Sequence, residues 1–98
     1  MEFKVIGLDD IEEDVIVEKK SNPYMTKMEF TKLVATRAFH LKNGAPSSIH
    51  RTADMHPADI AEVEIRRGIA PLAVKRRFPD GSYEVWRIKD LMIKSNYI

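Results

Sequence analysis

The sequence predicts a small α+β domain: two main helices followed by a C-terminal β-hairpin, with a short acidic N-terminal arm. Three observations carry this. Two stretches place apolar residues at helical spacing between their own start and stop residues, two alternating runs flank Pro79-Asp80-Gly81-Ser82, and the opening segment is rich in acids. With 98 residues there is room for one core.

The first element is the least determined. Phe3-Lys4-Val5-Ile6-Gly7-Leu8 alternates briefly, Asp9 to Asp14 clusters five acids around Ile11, and Val15-Ile16-Val17 has the composition of a short strand. Residues 1–22 therefore read as an acidic arm, either mobile or laid as a strand along the body, ending at the turn signal Ser21-Asn22-Pro23. Residues 23–98 form the domain proper.

Thr26-x-x-Glu29 is a capping box: the threonine hydroxyl accepts from the Glu29 amide while the Glu29 carboxylate reaches back to the Thr26 amide. Met25 and Phe30 occupy the two staple positions, and Phe30, Leu33, Val34, Ala38 and Leu41 draw one apolar stripe until Gly44 and Pro46 stop the helix. Arg37 lies beside that stripe between small neighbours, free to reach a carboxylate or carbonyls within the fold or on a partner. Pro57 at a first helical position, His56 as a weak cap and Asp59 in the first turn start a second helix that runs through Arg67 to Gly68. Ile60, Ala61 and Ile65 form its buried stripe.

Leu72 to Phe78 and Tyr83 to Ile88 are the hairpin strands, since proline presets φ and glycine accepts positive φ in the turn between them. Alternation puts Leu72, Val74, Arg76 and Phe78 on one face, and sets Tyr83, Val85 and Arg87 opposite to Glu84, Trp86 and Ile88. Residues 89–92 suggest a final turn.

Charged residues make up 32% and apolar residues 44%, which excludes a disordered or fibrous chain. Residues 1–22 hold seven acids and three bases, a net −4, which leaves +5 for the rest. Arg66, Arg67, Lys75, Arg76 and Arg77 follow one another with no acid between Glu64 and Asp80. Such a stretch is either a solvated face or a contact for a polyanion, making a free-standing nucleic-acid-binding module the alternative function.

There is no cysteine, which removes disulfides, thiolate metal sites and a cysteine nucleophile together. His40, His50 and His56 lack metal-ligand spacing, and no phosphate-binding loop or nucleophile elbow occurs. The expectation is no catalytic residue, no metal and no cofactor. The longest apolar stretch, Ile69 to Val74, is six residues and contains Pro71, far short of the roughly 20 that a bilayer span needs, so no membrane association is expected and the protein should be soluble and intracellular.

Several ordered blocks carry a resemblance. Pro23-Tyr24-Met25-Thr26-Lys27-x-Glu29, Thr36-Arg37-Ala38, Gly44-Ala45-Pro46, Pro57-x-x-Ile60-Ala61-x-x-Glu64, Pro71-Leu72 and Arg76 with Pro79-Asp80-Gly81-Ser82-Tyr83-Glu84-x-Trp86 follow in order from about Pro23 to Ile93. Together they resemble the common small subunit of DNA-directed RNA polymerase, namely archaeal K, the eukaryotic sixth subunit and, more distantly, bacterial omega. The resemblance implies a non-catalytic subunit that latches the largest subunit, promotes assembly, contacts other polymerase subunits and meets DNA mainly through the assembled complex. Its location would follow its source: nucleus, archaeal cytoplasm, or host cell or virion. By position, Thr36, Arg37 and Ala38 would form the latch face, with Pro46 shaping the loop and Glu64 supporting it. Arg37→Ala is then expected to leave the domain folded and weaken the association. Three departures stand out: His56 replaces the helix-initiating acid or threonine, the long acidic extension of eukaryotic members is cut to Asp9 through Glu18, and the loop from Ser47 to Met55 carries His50 and Arg51 instead of acids. The mixture reads as a divergent member, with a virus that encodes its own polymerase as one source.

Overall fold

The computed structural model describes residues 2–11, 21–49 and 54–94. The five elements are β1 (Glu2–Gly7), α1 (Lys27–Lys42), α2 (Pro57–Arg67), β2 (Leu72–Arg77) and β3 (Tyr83–Arg87), with single 3₁₀ turns at Leu8–Asp10 and Ile88–Asp90. The expected small α+β fold is present, with a third strand added to the hairpin. The expected strand at Val15 to Val17, most of the acidic run, and His50 and Arg51 lie outside the described residues.

Both helices begin where their caps place them. The Thr26 hydroxyl accepts from the Glu29 amide at 3.0 Å and the Thr26 amide donates to Glu29 Oε1 at 2.9 Å, satisfying two donors that the first turn would leave open. His56 does cap α2, its Nδ1 accepting from the Ala58 amide at 3.2 Å, with Pro57 next in the chain.

Gly68 ends α2 at φ +70°, in the left-handed region, and a Cβ there would sit 3.2 Å from the Lys89 Cα. Gly68→Ala is expected to destabilise the fold by about 1–2 kcal/mol, seen as a lower urea midpoint at unchanged slope; an unaltered midpoint would show that the turn relaxes freely.

The sheet order is β1-β2-β3, antiparallel throughout, so β2 is central. Of the two arrangements open for the N-terminal arm, residues 2–7 take the strand, pairing Glu2 with Arg77 through to Gly7 with Leu72. Phe3 and Val5 thereby join Val74 and Trp86 on the inner face. That face packs against Met25, Phe30, Leu33 and Ile65 to form the main core. A smaller cluster of Leu41, Ile60 and Ala61, with Val34 and Ala38 beside it, fills the junction of the helices. The segment before α1 is tied to the chain's far end, where Met25 N–H donates to the Met92 carbonyl and Met92 N–H to the Pro23 carbonyl, at 2.8 and 2.9 Å.

Candidate functional site

Two buried ion pairs fasten the elements to one another. Alternation along β2 turns Arg76 inward with Leu72 and Val74, and its side chain is 1% exposed. All five of its N–H donors are used. Nε donates to Glu29 Oε2 at 2.8 Å and Nη2 to Glu29 Oε1 at 2.7 Å, a two-bond fork between sheet and helix. The rest hold the approach to α1: Nη1 donates to the Ser21 hydroxyl at 2.9 Å and the Asn22 carbonyl at 2.5 Å, and Nη2 to the Tyr24 carbonyl at 3.0 Å. The Trp86 ring lies 5.5 Å from the guanidinium carbon, and its indole N–H is shared between Ser21 Oγ and Glu84 Oε1, each at 3.1 Å.

The second pair closes the two helices and the loop after α1. Arg37 Nε donates to Glu64 Oε1 at 3.0 Å, Nη2 donates to the Pro46 carbonyl at 2.8 Å, and the Ser47 hydroxyl donates to Glu64 Oε2 at 3.2 Å. Arg37 and Glu64 are 5% and 2% exposed, so both charges are withdrawn from solvent and spent on each other. Among the described residues no buried side-chain nitrogen or oxygen lacks a hydrogen-bond partner. These groups thus stabilise the geometry of the fold.

What α1 turns outward differs in kind. Met28 and Phe39 are 73% and 66% exposed and, with Lys32 and Ala35 between them, form a stripe opposite the buried Phe30, Leu33, Arg37 and Leu41. Beside it, Thr36 and His40 face an open groove whose other wall is Val5 to Asp10, with Pro71 and Leu72 contributing to its lining. Among the described residues no group of three or more His, Asp or Glu side chains could hold a metal ion, and no helix is long and apolar enough to cross a membrane.

No protein-family model matches the chain. It is 36% identical over 76 residues to the probable DNA-directed RNA polymerases I, II, and III subunit RPABC2 of Caenorhabditis elegans, covering 78% of this chain and 56% of that one. The corresponding subunit of Schizosaccharomyces pombe is 36% identical over 75 residues, 76% of this chain and 53% of the relative. That of Saccharomyces cerevisiae is 33% identical over 76 residues, 78% and 49%. Over these residues the chain is similar to the common small subunit of the nuclear RNA polymerases. It spans about half the length of the curated relatives it matches.

The residues singled out in the sequence separate into two sets. Arg37 and Glu64 are buried together, Pro46 lends them its carbonyl, Ala38 packs into the junction of the helices, and Thr36 lines the groove. Arg37→Ala would strand the Glu64 carboxylate in the interior, so the burial of this pair argues for a loss of fold stability in that variant. Of the basic stretch, Arg76 is corrected from surface contact to buried anchor. Arg66, Arg67 and Arg77 are exposed and Lys75 is half-buried, its ammonium 4.1 Å from the centre of the Tyr83 ring. Arg66 and Arg67 leave α2 while Lys75 and Arg77 stand on the sheet, so the stretch is divided between two elements. Sequence reasoning missed the partnership of Glu29 with Arg76. Its signal was an arginine at an inward position of an apolar strand face.

Proposed function

We propose that this chain is a non-catalytic subunit of a DNA-directed RNA polymerase that latches the largest subunit and promotes assembly. Residues 23–98 would be the omega-like body and 1–22 an arm whose first strand completes its sheet. The observation that carries this reading is the likeness, over 75 or 76 residues, to subunits named as common to polymerases I, II and III. The physics of the body agrees with it. A domain whose buried charges are paired internally acts by covering surface on a partner, and a standard interface, about 800 Å² per partner, would cover roughly an eighth of this chain's 6874 Å². Binding the assembled form of a large subunit stabilises that form by mass action. The exposed stripe of Met28, Ala35 and Phe39 is the apolar surface that such docking would bury.

The experiment is affinity purification of the tagged full chain from its own source. The expected result is stoichiometric recovery of a very large polymerase polypeptide, and recovery without one would end the proposal. Phe39→Asp is expected to reduce that recovery at least tenfold, as truncation of a central interface residue does, with an unchanged melting temperature. Undiminished recovery would remove this face of α1 from the interface.

A further inference from the structure

The outer face of the sheet is a surface of a different kind. Register places Glu2, Arg77 and Tyr83 in one row, Lys4, Lys75 and Val85 in the next, and Ile6, Ala73 and Arg87 in the third. Four cations and one acid thus share one side of three short strands. Lys4 and Lys75 are direct cross-strand partners, an arrangement that costs stability through like-charge repulsion. None of Lys4, Lys75, Arg77 and Arg87 makes an ion pair among the described residues. Protecting the sheet edges from other strands would explain Lys4 and Arg87, which lie on β1 and β3, but Lys75 and Arg77 stand on the central strand, where no edge needs guarding.

Tyr83 completes the surface. It is 40% exposed beside Arg77, and Lys75 covers one side of its ring at 4.1 Å. Cations spaced along strands beside an exposed aromatic ring suit a phosphate backbone with an adjacent base stacked on the ring. An acidic peptide would use the charges and leave the ring idle. We infer that the outer sheet face, through Lys4, Lys75, Arg77, Arg87 and Tyr83, binds single-stranded nucleic acid. The inference does not depend on the polymerase reading, since it concerns the isolated chain.

The test is fluorescence anisotropy of a labelled 20-nucleotide oligothymidylate with the full chain, titrated with salt. Four phosphate contacts predict a slope of log K against log salt of about −2.8. Lys75→Gln with Arg77→Gln is expected to weaken binding about tenfold at low salt and to make the slope shallower by about 1.4. Arg66→Gln with Arg67→Gln, on α2, should change affinity less than twofold. Tyr83→Leu, which keeps an apolar strand residue but removes the ring, should cost at least threefold. Should the sheet pair fail to fold, judged by its melting curve, Lys4→Gln on the edge strand provides the same reading with a slope change of about 0.7. No binding at 50 mM salt, equal losses from the α2 pair and the sheet pair, an unaffected Tyr83→Leu variant, or displacement by polyglutamate as effective as by unlabelled oligothymidylate would each overturn it.

Discussion

Arg76→Met is expected to lower stability by about 3–5 kcal/mol, the cost of leaving one member of a buried ion pair without the other. Glu29 would remain 1% exposed with its carboxylate facing methyl groups, and Ser21, Asn22 and Tyr24 would lose the donors that hold the approach to α1. In a domain of this size 1 kcal/mol corresponds to about 4–8 °C in the melting temperature, so a fall of at least about 12 °C by circular dichroism is expected. Arg76→Lys should rescue little, because three donors on a flexible stem cannot replace five fixed in a plane. A change below about 1 kcal/mol in Arg76→Met would mean that the fork is energetically equivalent to a surface pair.

The second large effect belongs to Arg37 and Glu64, and it has a diagnostic form. Arg37→Met alone is expected to cost about 3–5 kcal/mol by stranding Glu64, whereas Arg37→Met with Glu64→Leu should return to within about 1 kcal/mol of the parent, since well-packed apolar groups can replace a buried pair without loss. The Pro46 carbonyl belongs to an exposed residue, so water can take the place of Arg37 there. Urea denaturation of the four proteins of this double-mutant cycle measures the coupling directly. Strictly additive losses would show that each side chain acts through its own packing and not through its partner.

The parts of the fold that were legible in the sequence are those with local chemistry. Thr26 with Glu29, Pro57, Gly68 and the turn around Gly81 each determine backbone geometry within four residues of themselves, and both helices and the hairpin followed. β1 is ambiguous in the sequence because its short alternating run becomes a strand only when β2 offers an edge, and that edge lies 75 residues away at the Glu2–Arg77 pair. At the candidate site the strand period correctly grouped Arg76 with Leu72 and Val74, yet the surrounding run of bases suggested a surface. Glu29 was hidden by a second duty, since its Oε1 serves both the Thr26 amide and Arg76. Arg37 was recognised as unusual, but its choice between an internal and an external carboxylate required the position of Glu64, 27 residues on.

The pairing of β1 with β2 also bears on how the protein emerges from a ribosome. Its first strand is synthesised early and must wait, with Phe3 and Val5 uncovered, until residue 77 has been added; at typical elongation rates of 5–20 residues per second that interval is roughly 4–15 s. Until then β1 has no native partner, since β2 is the one strand with which it pairs among the described residues.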